Sequence, residues 1–333
     1  MGKTDTNSDA KIDPKADPNA EPVADTKAES GKGKGKSKNK GKGKGKGKGK
    51  GKGKNKGKGK NKGKGKNKGG GKQIKEIDAK DRILNCKVSS ETHNDWGFPI
   101  ALASGMATSV AIPDSIDLRK KWWKIGNQGF TGSCVGWATA DGVLRWHFVK
   151  KNLLEKDNRL SPRFVWMASK ETDVFQSRPT SFIEQEGTSI KAALDITRKF
   201  GAVPDSVLGI GDGELYKGLT DTFYAIASKY KILSYFNLGR DLHQWRQWIA
   251  LNGPIVTRLV VDNEFMYPNS NGKLDTFRPE TAKYGHAVAL VGYDSKGFII
   301  RNSWGTRWGD KGFAHATDHY IQQAFGHAYG INI

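Results

Sequence analysis

The chain has 333 residues and a formal charge of +22, unevenly placed: residues 31–72 hold 20 lysines and no acid, residues 1–30 carry 4 lysines against 7 acids, and residues 73–333 keep only +5. The pI of 9.8 therefore describes a tail and argues against a nucleic-acid-binding fold in the body. No 18-residue apolar run marks a transmembrane helix, and the polar, acidic start lacks the apolar stretch of a secretory signal. The expectation is a cytoplasmic protein, with non-classical export left open.

Along residues 1–30 an acid recurs every fourth position, from Asp5 to Glu29, and Pro14, Pro18 and Pro22 recur on the same period. The prolines break any helix, so the segment reads as a disordered acidic repeat. Met1-Gly2-Lys3-Thr4-Asp5-Thr6 fits the loose myristoylation pattern, a match short enough to arise by chance. Residues 31–72 mostly alternate Gly or Asn with Lys. Like charges repel and nothing apolar is there to bury, so a disordered, expanded tail is expected. It is suited to gripping an anionic polymer (nucleic acid, acidic lipid or cell-wall polyanion) in a salt-sensitive way; the plainer alternative is a tether or solubilising repeat.

Residues 73–112 carry scattered apolar side chains and read as an N-terminal arm or short pro-segment. Cys86 lies here with no histidine at a telling spacing and is read as a bystander thiol. From Pro113 the pattern is globular. A helix is expected over 134–151, another from the Ser161-Pro162 start signal, and a third over Ser189–Phe200, closed by Gly201. After about residue 228 the runs 230–233, 254–261, 287–293 and 297–301 are strand-like, with a turn at 294–297 between the last two. A mainly helical 113–227 followed by a mainly β 228–333 argues for an α+β fold with a cleft between lobes. His315 and His319, four apart, would share a helix face, but no third ligand stands at a metal spacing. Gly209–Gly213 lacks a phosphate-loop lysine and reads as a loop. No metal or cofactor is expected.

Four short segments carry chemistry: Asn127-Gln128-Gly129-Phe130-Thr131-Gly132-Ser133-Cys134, Val135-Gly136-Trp137-Ala138, Gly285-His286-Ala287-Val288 and Arg301-Asn302-Ser303-Trp304-Gly305. Cys134 at a helix start is a nucleophile whose thiolate the helix dipole favours. His286 is a base that also protonates a leaving amine. Asn302 follows it by sixteen residues, so a hairpin through 294–297 sets the two side by side and lets the amide carbonyl fix the ring. Trp304 falls on the same face and covers that pair. The Gln128 side chain and the Cys134 backbone N–H are donors for an oxyanion.

In order and spacing these segments resemble the papain family of cysteine peptidases over roughly Pro113 to Gly330. Leu160-Ser161-Pro162, Gly253-Pro254-Ile255-Val256 and Trp304-Gly305…Trp308-Gly309 add to the likeness. The resemblance implies a two-lobe fold, a helical lobe carrying Cys134 and a β-barrel lobe carrying His286 and Asn302, and hydrolysis of peptide or protein substrates by a chain expected to be monomeric. The sequence departs from the family where Thr131-Gly132-Ser133-Cys134-Val135 stands in place of Cys-Gly-Ser-Cys-Trp. The first cysteine of that motif is a disulfide partner in the family, and its absence agrees with a count of two cysteines. Cys-x-Gly-Gly is missing between 160 and 190, which leaves Glu186-Gly187-Thr188 to hold a substrate backbone. Self-cleavage, if any, is expected within 73–112, because the Gly-Lys tract offers no apolar side chain. The alternative is an inactive papain-like module targeted to a polyanion by the tail.

Overall fold

The structure, a computed structural model, describes residues 78–172, 186–210 and 218–333. The acidic repeat, the Gly-Lys tail, residues 73–77 and part of the Gly209–Gly213 loop lie outside the described residues. The elements, in chain order, are α1 (Phe98–Ala103), β1 (Ile116–Asp117), α2 (Cys134–Gly136), a π-helical stretch (Trp137–Leu144), α3 (Arg145–Lys150), α4 (Pro162–Thr172), α5 (Ile190–Lys199) and α6 (Thr220–Ala227). They continue with β2 (Ser234–Asn237), α7 (Leu242–Leu251), β3 (Ile255–Val261), α8 (Asn263–Met266), β4 (Lys273–Leu274), β5 (Tyr284–Tyr293), β6 (Gly297–Arg301), β7 (Phe313–Thr317), α9 (Asp318–Ala324) and β8 (Phe325–Asn332).

The strands form one sheet in the order β2-β8-β3-β5-β6-β7-β4, with β1 added beside β5. Its spine is the antiparallel β3–β5 ladder, in register from Ile255 opposite Leu290 to Val261 opposite Tyr284. Successive side chains of a strand point to opposite faces, and the sequence uses both. Val288 and Leu290 join Ile255, Leu259 and Val261 in one core, which Trp245 and Trp248 of α7 also enter. Ala287, Ala289 and Val291 join Val256 in a second core, filled from the helical side by Val143, Leu144 and Trp146. The small alanines let the central helix lie close on the sheet. The result is the α+β arrangement expected.

The continuous run Cys134–Lys150 is the helix anticipated over 134–151, and Cys134–Val149 is buried throughout. A helix buried on every side belongs inside a core, and the charged side chain at its middle must then be paired. Its middle turns are widened to π geometry, an arrangement often found at functional places. There Asp141 accepts from Arg145 at 2.9 Å, Arg159 at 3.2 Å and Arg301 at 2.7 Å. One carboxylate thus fastens the helix to the end of β6.

Ser161 caps α4 by accepting from the Phe164 amide at 3.0 Å, and Ser189 caps α5 by accepting from the Ala192 amide at 3.2 Å. Gly201, with φ +97°, ends that unit, a left-handed conformation glycine takes without a Cβ penalty. The strand expected at 230–233 is displaced: Ser228–Tyr230 form a 3-10 turn and pairing starts at Ser234. β-propensity marks apolar residues, but the partner strand β8 decides which of them pair. His315 and His319 share no helix face. His315 sits on β7 with Nε2 3.0 Å from Asp294, and His319 lies on α9 beside Gln323.

Residues 78–112 pack as an arm on both cores. Leu84, Phe98, Ala101 and Ala107 enter the first. Cys86 enters the second.

Candidate active site

Cys134 opens the central helix, where amides of the first turn have no intrahelical acceptor and the dipole is positive. His286 projects from β5. The turn at Asp294, whose side chain accepts from the Lys296 and Gly297 amides at 2.8 and 3.0 Å, returns the chain along β6, and Asn302 follows that strand. The hairpin brings the two together: Nε2 of His286 lies 2.8 Å from Oδ1 of Asn302. That oxygen also accepts from the Ser303 amide at 2.8 Å, so the carbonyl end of the Asn302 side chain faces the ring and Nε2 carries the hydrogen. Nδ1 makes no ordinary hydrogen bond and is left to exchange a proton with the sulfur of Cys134. The Trp304 ring covers the pair, its centroid 4.9 Å from that of His286.

Gln128 is held by its backbone, which donates to the Ser303 carbonyl at 2.8 Å, and by its Oε1, which accepts from the Ser303 hydroxyl at 2.9 Å. Its Nε2 donates to the Thr131 carbonyl at 3.1 Å and, on the arm, to the Ile83 carbonyl at 3.4 Å. A buried amide donor is what a developing oxyanion needs, and while the arm is in place this one is taken up by the Thr131 and Ile83 carbonyls. We expect Gln128→Ala to lower kcat by about 10²-fold with little change in KM, measured as initial rates on one fluorogenic peptide.

The Cys134 thiol is pulled well below its ordinary range. The largest cause is the neighbouring Cys86 side chain; burial opposes it, and His286 and the Ala287 amide add to the lowering. Cys86 is therefore no bystander: its side chain lies in the same buried cluster as Cys134, with its thiol 3.7 Å from the Lys87 carbonyl. Nothing in its local spacing announces this, because the two thiols meet only when the arm folds back over the cleft.

The arm crosses the cleft as a strap. Arg82 donates to Oδ1 of Asn127 and to the Trp304 carbonyl, both at 3.0 Å, and its guanidinium lies 5.2 Å above the Trp304 ring. Cys86 donates its amide to the Gly285 carbonyl at 3.0 Å, and Lys87 donates to Thr188 at 3.0 Å. Nε of Arg258 donates to the Cys86 carbonyl at 2.9 Å. Beyond the cleft Asp95 pairs with Lys191 and accepts from the Tyr329 hydroxyl at 2.9 Å. Two glycines make room for the strap. A Cβ on Gly187 would stand 1.9 Å from the Asn85 carbonyl, and one on Gly285 would stand 2.2 Å from that of Cys86. Within Glu186-Gly187-Thr188, the Thr188 carbonyl accepts from the Lys87 amide of the protein's own arm. The strap leaves Cys134 and His286 at 0 % exposure. Open space begins beyond Trp304, in a cavity of about 760 Å³ bordered by Arg82, Asn127, Tyr267 and Trp308.

An α+β body that aligns a thiol, an imidazole and an amide carbonyl in a cleft has the arrangement of a cysteine-type hydrolase. The profile described as papain family cysteine protease matches residues 112–326. A cathepsin B-like protein, CP3 of Giardia intestinalis, is 27 % identical over 228 residues, which are 64 % of this chain and 72 % of that one. Papain of Carica papaya is 25 % identical over 239 residues, 67 % of this chain and 58 % of the relative. Among solved structures, xylellain, a cysteine protease from Xylella fastidiosa, superposes with a TM-score of 0.62 at 22 % identity, covering 76 % of this chain and 96 % of that one, and so shares the fold. The chain belongs to the papain family of cysteine proteases.

Proposed function

We propose that this chain is a cysteine peptidase held latent by residues 82–88, with Cys134, His286 and Asn302 carrying the reaction. The observation that carries the proposal is the buried Cys134–His286 pair beneath a strap of the protein's own backbone. When the strap lifts, the Cys134 thiolate attacks the carbonyl carbon of a peptide. Negative charge develops on the carbonyl oxygen and meets the Cys134 amide and the Gln128 side chain. His286, oriented by Asn302 and shielded by Trp304, gives its proton to the leaving amine, and an acyl-enzyme remains. Water, deprotonated by His286, then releases the acid and restores the thiolate.

The strap is not presented for cleavage by the same machinery. The Cys86 carbonyl is held by the Arg258 guanidinium at 2.9 Å. Latency therefore depends on contacts that can be weakened. Arg82→Ala removes two charge-assisted hydrogen bonds and is expected to raise the full chain's basal turnover roughly tenfold or more. Initial rates on a fluorogenic peptide check this; a rate equal to wild type would show that the strap does not limit access.

The lysine-rich residues 31–72 serve, in this proposal, to tether the enzyme to an anionic polymer. Their 20 lysines without an acid support that role. Binding to heparin or duplex DNA should fall steeply between 50 and 200 mM salt and vanish when the segment is deleted. The peptidase proposal is tested by hydrolysis of a mixed peptide library under reducing conditions by wild type and Cys134→Ala, each with and without residues 1–72. Thiol-dependent turnover absent from the alanine variant supports it. Absence of turnover from every form, Arg82→Ala included, would favour a binding module instead.

A further inference from the structure

The chain holds two cysteines, both buried and neither in a disulfide, and the fold places both in one core cluster. Cys134 is fixed at the head of the central helix. Cys86 is fixed on the strap by its amide on the Gly285 carbonyl, next to His286, and by the Arg258 guanidinium on its own carbonyl. The neighbouring Lys87 amide, bonded to Thr188, holds the strap on its other side. Both side chains lie in one core cluster with Ala287. We propose that Cys86 and Cys134 form a reversible disulfide that locks the strap across the cleft, a redox modification site driven by hydroperoxide and opened by dithiol reductants. The effect on activity rests on the peptidase reading above; the disulfide itself does not.

A disulfide needs its sulfurs ~2.05 Å apart, and here both thiols already share one buried cluster, with the Cys86 amide anchored on the carbonyl of the residue before His286. The reactivities are matched as well. A thiolate stabilised by neighbours is the form that attacks peroxide, and the reaction selects such a sulfur over an ordinary thiol. With the strap lifted, the Cys134 sulfur attacks the terminal oxygen of the hydroperoxide and the O–O bond breaks. Cys134 becomes a sulfenic acid, and the departing alkoxide takes a proton from His286 and leaves as the alcohol. The strap's return delivers Cys86. Its sulfur attacks the Cys134 sulfur, the S–S bond forms and the S–O bond breaks, and hydroxide leaves with the Cys86 proton as water. Two thiol sulfurs have lost two electrons, and one hydroperoxide has been reduced to alcohol and water. Reduction runs by thiol–disulfide exchange, with a dithiol supplying both electrons. The lock also shields the nucleophile, because a sulfenic acid captured as a disulfide does not proceed to sulfinic acid.

The test treats the full chain with hydrogen peroxide, blocks remaining thiols with N-ethylmaleimide and maps both cysteines by mass. The expected result is a monomeric chain lighter by two hydrogens, a cross-linked pair of peptides containing Cys86 and Cys134, no maleimide adduct, and full reversal by dithiothreitol. Cys86→Ser, which preserves size, should instead accumulate sulfinic or sulfonic acid on Cys134, and its turnover should not return on reduction. Wild type that gains oxygen on Cys134 while Cys86 is captured by maleimide overturns the proposal, as does a disulfide found only between chains. The wild-type mass decides the matter even if the serine variant fails to fold or the chain hydrolyses no peptide tried.

Discussion

Cys134→Ala is expected to reduce peptide hydrolysis by the strap-released enzyme on the order of 10⁶-fold, the scale of loss when a covalent nucleophile is removed. The remaining groups explain why so little is left. Gln128 and the Cys134 amide still stabilise an oxyanion, but no thiolate forms the acyl bond, and water must attack an amide unaided. His286→Ala should approach the same floor, because the two side chains act as one unit and their losses do not add. The pH profile carries a second signature. The Cys86 thiol, His286 and the Ala287 amide lower the Cys134 pKa against the opposing effect of burial. The thiolate is the form stabilised, so it persists below the ordinary cysteine range and is lost only as pH falls through the lowered value. Release of the strap removes the Cys86 contribution but leaves those of His286 and the Ala287 amide, so alkylation by iodoacetamide in Arg82→Ala, followed from pH 9 downward, should stay fast where a free thiol, with a pKa of about 8.5, has already slowed. A profile matching free cysteine would remove the thiolate pair from the mechanism.

Asp141→Ala should destabilise the fold by about 3–5 kcal/mol, the cost of leaving buried charge without its partner. That is a large share of the 5–15 kcal/mol that holds a typical domain together. Asp141 is fully buried, and the guanidiniums of Arg145, Arg159 and Arg301 all depend on it. Arg301 is itself buried and directly precedes Asn302, and it also donates to the Lys124 carbonyl at 2.8 Å. Loss of the carboxylate would therefore loosen the strand end that sets the His286–Asn302 hydrogen bond. Urea unfolding of wild type and variant measures the effect, and a change under 1 kcal/mol would refute it. Burial by itself would raise the Asp141 pKa, but Arg301, Arg159 and Arg145 outweigh it and hold the carboxyl below its ordinary value. A group with a depressed folded-state pKa contributes fully above its unfolded value and loses that contribution as pH falls through the folded one. The gap between wild type and Asp141→Asn should therefore narrow on acidification below about pH 4.

Much of the catalytic arrangement is legible in the residues because it depends on local chemistry and short-range geometry. A cysteine at a helix start, a histidine and an asparagine separated by a turn, and a glutamine six residues before the cysteine need only a helix and a hairpin to converge. The caps at Ser161 and Ser189 are readable for the same reason. α7 could also have been found: Asp241 is a capping residue, accepting from the His243 amide at 2.8 Å, and Trp245, Trp248 and Ile249 follow at helical spacing. The displaced strand at 230–233 was not readable, since apolar residues there satisfy either neighbour and only the register with β8 selects Ser234 as the start.

The sequence by itself determined the chemistry available: which candidate side chains are present, the order in which they occur, and the alternation that buries both faces of β5. Tertiary structure alone decided where the arm lies. Residues 78–96 have no periodicity that points to a cleft, and their hydrogen bonds run to Gly285, Thr188, Asn127, Trp304 and Arg258, all distant in the chain. Extended backbone finds its partners through carbonyls and amides that every residue possesses, so side-chain patterning does not encode its destination. The entry of Cys86 into the core cluster that holds Cys134 follows from that placement.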